Sequence, residues 1–168
     1  MTLPQGFIWI GPSLPYPVQT AENPSAPPSE LWDAILTSLR TSRASFAHAS
    51  LPNVFGAHVG IEVDATTLAR FERIVDAADS LAMERCVQII ASSDFTEKLR
   101  AMAGVGKSLL VLQGDSDQGM PYEAGTKLIQ ALVPDSRVSM YEKAGHGLYL
   151  THTPKVIDEI LGFVKDAE

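Results

Sequence analysis

The stretch 108-SLLVLQGDSDQGMP-121 decides how this chain is expected to fold. Its first half, 108–113, has an apolar centre at 109–112, which is typical of a strand buried on both faces of a parallel sheet. Its second half, 114–121, combines Gly, Asp and Pro and predicts a loop at the carboxyl end of that strand. Because open α/β sheets hold their functional groups in such loops, Asp117 is a candidate functional residue.

Strands and helices alternate around this stretch. Apolar residues at helical spacing predict a helix near 124–132, a short strand follows at 137–141, and a terminal helix begins at Thr153, which is expected to cap it. An earlier apolar run bounded by glycines, 6–11, is predicted as another strand buried on both faces. This order of elements predicts an α/β fold built from parallel βα units.

The part of the chain between the two apolar runs is predicted to be mainly helical. The expected elements are an extended proline-rich connection at 12–28, a helix at 30–41, a loop at 51–63, one long amphipathic helix at 66–85 and a short helix opened by Asp94 and Glu97 and continuing to Met102. The chain therefore divides into a strand with its proline-rich connection (1–28), a helical insertion (29–103) and a sheet-forming part (104–168).

Composition excludes several classes of protein. The chain has 168 residues, with 13 Lys and Arg against 20 Asp and Glu, and a formal charge of −7, which fits one acidic domain. Acidity without a basic cluster argues against nucleic acid as a partner, and no apolar run is long enough to predict a membrane span. Cys86 is the only cysteine and is expected to be a buried, inert thiol, so a reducing cytoplasm is the predicted compartment.

A second polar loop follows the strand at 137–141, and it carries His146 between two glycines. Taken singly, Asp117 is best interpreted as a turn-capping residue and His146 as a histidine of no special role. Since both follow strands of one parallel sheet, we expect the two side chains to meet, so that the carboxylate orients the imidazole. A P-loop-like run at 101–108 is interpreted as a helix-to-strand turn, because a true P-loop follows a strand and opens a helix.

The pattern G-x-x-D-x-x-x-P after one strand and G-H-G after the next resembles the acid and base loops of the α/β-hydrolase superfamily. Segments 42–46, 93–97, 114–121 and 146–152 are similar to the cofactor-free haloperoxidase and arylesterase branch of that superfamily. The resemblance covers nearly the whole chain, from Phe7 to the terminal helix.

This resemblance implies specific roles for the residues that match. Asp117 would be the acid of a catalytic triad, His146 its general base and Asp115 an accessory carboxylate, with the helical insertion forming a cap over an acyl pocket. No metal and no organic cofactor is implied. Members of the branch cleave small or aromatic esters and can form peracids from short carboxylic acids.

The nucleophile of such a triad is missing from the sequence. A hydrolase of this type needs a serine in a G-x-S-x-G turn, and neither Ser13 nor Ser116 satisfies that pattern. The chain is therefore similar only to the C-terminal part of the fold, with about three parallel strands, flanking helices and a helical cap. The strand near Phe7–Ile10 is expected to present an open edge, suited to a complementary N-terminal hydrolase segment or to a second copy of the chain.

Two functions are compatible with these patterns. In the first, the chain supplies the acid and base of an ester hydrolase that acts on a small ester or carboxylic acid, and is inactive without the missing nucleophile half. In the second, it is a non-catalytic truncated paralogue that acts as a pairing module. A metal site at His146 and His152 is only weakly indicated, because no carboxylate or HExxH spacing accompanies them, and His48 and His58 receive no role.

Overall fold

The computed structural model describes residues 5–166, so the ends of the predicted segments 1–28 and 104–168 lie outside the described residues. Three strands form one parallel sheet in the order β1-β2-β3, where β1 is Gly6–Ile10, β2 is Ser108–Gly114 and β3 is Arg137–Tyr141. Flanking helices complete the α/β architecture that the sequence predicts.

Seven α-helices lie among the described residues. They are α1 (Ser29–Val54), α2 (Ala65–Ala77), α3 (Ser80–Ser92), α4 (Thr96–Ala103), α5 (Thr126–Leu132), α6 (Leu148–Thr151) and α7 (Thr153–Asp166), with short 3₁₀ turns at Ala57–Val59 and Tyr122–Ala124. Residues 11–28 form neither helix nor strand, as their prolines predict. No helix in residues 5–166 is long and apolar enough to cross a lipid bilayer.

Strand β2 is the centre of the core because both of its faces are covered. Leu109 and Val111 point into a cluster with Ile129 of α5, whereas Leu110 and Leu112 point into a second cluster with Phe163 of α7. This alternation follows from the two-residue period of a strand. The prediction of a strand buried on both faces is confirmed for β2.

The same prediction is wrong for β1, all of whose residues are only partly buried. Strand β1 pairs with β2 along one edge, with Phe7 opposite Leu109 and Ile10 opposite Leu112. Within residues 5–166 nothing pairs with its other edge. An apolar sequence therefore lies at an edge position, which is the position most exposed to pairing with another chain.

The helical insertion differs from its prediction in two places. Helix α1 continues to Val54, past the predicted end at residue 41, so the first residues of the predicted loop at 51–63 are helical. The helix is interrupted at Ser42, where φ is −158° and ψ is 64°. The helix resumes because Leu51 and Phe55 bury their side chains against Phe71 of α2, and this packing outweighs the loss of one backbone hydrogen bond at a proline.

The predicted single helix at 66–85 is two helices, α2 and α3, separated at Ala78 and Asp79. Asp79 caps α3 by accepting a hydrogen bond from the Ala82 amide at 2.7 Å. Arg43 of α1 donates to the Ala78 carbonyl at 2.7 Å, which satisfies an acceptor at the end of α2. Local capping therefore overrides a continuous apolar stripe. Cys86 on α3 is exposed, so the prediction of a buried thiol is also wrong.

Two further local predictions can be compared with the structure. Residues 101–108 connect the end of α4 to the start of β2, which confirms the helix-to-strand turn. Thr153 opens α7 as expected, but its hydroxyl donates to the carbonyls of Tyr149 and Leu150 at 2.8 and 2.9 Å. It therefore satisfies the end of α6, and the prediction that its side chain caps α7 is wrong.

Candidate active site

The loop after β2, residues 114–121, holds a buried carboxylate and is called the acid loop below. Asp117 is 3% exposed. Its Oδ1 accepts the backbone N–H groups of Gly119 and Met120, both at 2.9 Å. This is the turn-capping role that the sequence allowed, and it occupies only one of the two carboxylate oxygens.

The second carboxylate oxygen faces the loop after β3, residues 142–147, which is called the base loop below. Asp117 Oδ2 lies 2.8 Å from His146 Nδ1. The two side chains come from neighbouring strands and are 29 residues apart in the chain. The structure therefore brings together the two residues that the sequence singled out, at the carboxyl edge of the sheet.

The contact defines the state of the imidazole. Because a carboxylate oxygen only accepts, Nδ1 of neutral His146 carries the proton and Nε2 keeps its lone pair. The hydrogen bond that His146 donates to Asp117 raises the pKa of His146, partial burial of the ring opposes this rise, and the negative charge of Asp117 adds to it. The His146 side chain is 39% exposed, so Nε2 belongs to a ring that solvent or a substrate can reach.

Backbone contacts hold the two loops in register. The amides of Asp115 and Ser116 donate to the carbonyls of Tyr141 and Ala144 at 3.0 and 3.1 Å. At Gly114 an added Cβ would lie 2.3 Å from the Ala144 carbonyl oxygen, so only glycine permits this approach. The distance between the carboxylate and the imidazole is thus set by backbone packing as well as by the side chains.

The end of β1 completes the site. Gly11 has φ of +55°, and a Cβ built on it would lie 3.0 Å from His146 Nδ1 and 3.3 Å from Asp117 Oδ2. The backbone of Gly11 is therefore packed directly against the hydrogen-bonded pair. All three strands contribute to one site at the same edge of the sheet, as expected for parallel strands.

Comparison with known proteins agrees with this geometry. Residues 73–168, more than half of the chain and including both Asp117 and His146, match the family of TAP-like proteins, Abhydrolase_4. The chain belongs to this α/β-hydrolase family.

The proteins to which this chain is similar include haloperoxidases and esterases. It is 26% identical over 160 residues to a non-heme haloperoxidase from Rhodococcus erythropolis, covering 94% of this chain and 57% of that protein. Among solved structures it is similar to an esterase from Exiguobacterium antarcticum, with a TM-score of 0.86, 20% identity, and coverage of 96% of this chain and 57% of that one. A bromoperoxidase from Bacillus anthracis has a TM-score of 0.85 at 21% identity, covering 94% and 57%.

These figures establish the fold and its extent. The chain spans rather more than half the length of the haloperoxidase and of both solved structures. The part it shares contains the strands that carry the acid and base loops. The α/β-hydrolase resemblance and the partial coverage that the sequence predicted are both confirmed.

The buried side-chain amide of Gln113, to which the sequence pattern assigned no role, supports the acid loop. Gln113, the last side chain of β2 before the loop, donates from Nε2 to the carbonyls of Gly114 and Met120 at 3.0 and 3.2 Å. Its Oε1 accepts the Thr126 hydroxyl at 2.6 Å. A polar residue at the end of an otherwise apolar strand was the available signal, because buried amides need partners on both ends.

The three other histidines make hydrogen bonds to groups other than the Asp117 carboxylate. His48 pairs with Glu72 at 2.8 Å, and His152 Nδ1 lies 2.8 Å from the Thr151 hydroxyl. His58, which received no role from the sequence, lies 2.7 Å from the Ser116 carbonyl in the acid loop. Within residues 5–166 no three or more His, Cys, Asp or Glu side chains are grouped as metal ligands.

Ser116 is adjacent to Asp117, and its hydroxyl is hydrogen-bonded to another carboxylate of the acid loop. It donates to Asp115 Oδ1 at 2.8 Å, and Asp115 itself is exposed. Ser13 lies in the proline-rich connection, where it lines a groove beside β1. Neither serine occupies a strand-to-helix turn of the kind that presents a nucleophile.

Proposed function

We propose that this chain supplies the acid and base of a serine-type hydrolase that acts on small carboxylic esters. The observation that carries the proposal is the 2.8 Å contact between Asp117 and His146 at the carboxyl edge of the sheet. The serine would come from polypeptide other than these 168 residues, which contain no G-x-S-x-G turn. On this proposal the chain alone does not hydrolyse esters.

The proposed chemistry uses one proton acceptor. His146 Nε2 takes the proton of the serine hydroxyl as its oxygen attacks the ester carbonyl carbon, and Asp117 stabilises the imidazolium that forms. When the tetrahedral intermediate collapses, the C–O bond to the alcohol breaks and His146 returns the proton to the leaving alkoxide. Water, deprotonated by the same imidazole, then attacks the acyl carbon; the bond from that carbon to the serine oxygen breaks, the imidazolium returns its proton to the serine, and the carboxylic acid is released.

The free edge of β1 is the proposed docking position for the strand that leads to this serine. A groove of about 410 Å³ runs beside β1 and is lined by apolar side chains from two directions, including Ile8 and Ile10 of β1 and Ile89 and Phe95 from the insertion. Ile89 is 58% exposed and Phe95 39% exposed. A parallel strand paired with this edge would end beside Gly11, next to the imidazole.

Labelling with a fluorophosphonate and assay with a small aryl ester test the proposal. The chain is assayed alone and after purification from its native source, with any longer or associated polypeptide retained. We expect no turnover and no label for the chain alone. In the native preparation we expect both, with the labelled serine outside residues 1–168 and turnover lost in His146→Ala.

Two outcomes would contradict this function. If the chain alone hydrolyses the ester and His146→Ala does not, the nucleophile lies within these residues. If the native preparation neither reacts with the probe nor hydrolyses the ester, the chain is the non-catalytic pairing module. The open edge of β1 is the observation that favours this second function. The exposed free thiol of Cys86 suits the proposed reducing cytoplasm in either case.

A further inference from the structure

A short segment at the end of α1 contacts both loops of the candidate site. Val54 accepts a hydrogen bond from the Gly147 amide of the base loop at 2.7 Å. Four residues later, His58 in the 3₁₀ turn reaches the acid loop, with its Nε2 2.7 Å from the Ser116 carbonyl oxygen. One piece of the helical insertion therefore bridges the loops that carry Asp117 and His146.

The direction of the His58 hydrogen bond is set by its partner. A carbonyl oxygen only accepts, so His58 donates from Nε2. Its other ring nitrogen, Nδ1, is buried and has no hydrogen-bond partner among the described residues. Buried polar atoms without a hydrogen-bond partner are uncommon in folded proteins. The His58 ring has such an atom at Nδ1, while its Nε2 is hydrogen-bonded to the acid loop, which is distant in the sequence.

The peptide group that receives this hydrogen bond leads directly into Asp117. The Ser116 amide donates to Ala144 of the base loop at 3.1 Å, while the Ser116 carbonyl accepts from His58. The amide of Asp117 itself has only a long contact of 3.4 Å to the Gly114 carbonyl. The peptide group before Asp117 is thus held on both sides. This support adds to the hydrogen bonds that the Asp117 Oδ1 accepts from Gly119 and Met120.

We propose that His58 is a positioning residue, which orients the acid loop so that Asp117 Oδ2 meets His146 Nδ1. The inference rests on the proposed function, since it concerns the same acid and base. On this proposal, a residue of the helical insertion helps to set the position of Asp117 relative to His146. His58 acts through Ser116 and Asp117 and does not itself exchange a proton with the substrate.

The experiment is an NMR titration of the four histidine rings in the 168-residue chain. In His58→Phe, which fills the space without a donor, we expect the His146 pKa to fall from its raised value toward that of a free histidine, about 6.5. In His58→Gln, which restores an N–H donor, we expect the raised value to return. His48→Ala removes another histidine of the insertion and serves as the matched control, with no change at His146.

Each other outcome is decisive. An unchanged His146 pKa in folded His58→Phe overturns the role of His58 and leaves the Asp117–His146 pair intact. A neutral His146 ring that carries its proton on Nε2 in the wild-type chain contradicts the pair itself, and with it the proposed function. Should His58→Phe fail to fold, the ring nitrogen spectrum of the wild-type chain decides, because a His58 Nε2 without a proton overturns the proposal.

Discussion

Replacing Asp117 by Asn separates the two hydrogen-bonding roles of this carboxylate. The amide oxygen of Asn can still accept the N–H groups of Gly119 and Met120, whereas its NH₂ group takes the place of Oδ2 against His146. One charge-assisted hydrogen bond is lost, which is worth about 1.5–3 kcal/mol, and the 39% exposure of the His146 side chain places the expected loss near the lower end. Asp117→Ala also leaves two loop N–H groups without their acceptor, at a further cost of about 1–3 kcal/mol each.

The stability difference between wild type and Asp117→Asn depends on pH in a defined direction. The folded state raises the His146 pKa, so the stabilisation is fully present below the unfolded value of about 6.5 and is lost as pH rises through the folded value. Urea unfolding followed by circular dichroism at pH 5.5 and 8.5 measures this difference. We expect the deficit of Asp117→Asn to be larger at pH 5.5. A deficit that grows with pH, or an Asn variant as unstable as the Ala variant, would refute the reasoning.

Three more substitutions, one of them with a matched glycine control, probe the surroundings of the pair and the groove beside β1. Gly11→Ala is expected to lower stability by roughly 1–2 kcal/mol, because its backbone is left-handed, and to shift the His146 resonance. Gly106→Ala, at φ of +63° with nothing within 4 Å, is the matched control and is expected to shift only the thermal midpoint. Gln113→Leu removes the amide that joins Thr126 to the acid loop and is expected to cost about 1–3 kcal/mol in urea unfolding; wild-type stability would contradict its supporting role. Ile89→Glu is expected to weaken self-association in sedimentation experiments without lowering the thermal midpoint, and an unchanged sedimentation profile would count against the groove beside β1 as a contact surface.

The sequence predicts the sheet correctly where burial of apolar side chains alone determines the residue pattern. Strand β2 is apolar because both faces are covered, and its sequence predicts this correctly. Strand β1 has the same apolar character but lies at an edge and is only partly buried. Its apolar pattern alone predicts burial on both faces, and the open edge could be expected only because the family resemblance places a missing strand beside it. The break between α2 and α3 was missed because the apolar stripe outweighed the capping signal at Asp79.

The candidate site shows the same limit. Asp117 and His146 could be paired from sequence because each follows a strand of one parallel sheet. Gly11 could not be assigned to them, since its approach depends on a third strand in register. His58 lies 58 residues from its partner, inside an insertion whose packing is tertiary, so no local spacing points to it.

The most direct test of the account is the ring nitrogen spectrum of His146 in the wild-type chain, recorded above its pKa. The proposed chemistry requires the neutral ring to carry its proton on Nδ1, against Asp117, and to leave Nε2 free to accept from a serine. We expect that tautomer in the wild type and its loss in Asp117→Ala. A neutral His146 protonated mainly on Nε2 in the wild type would contradict the central claim, because such a ring could not act as the base.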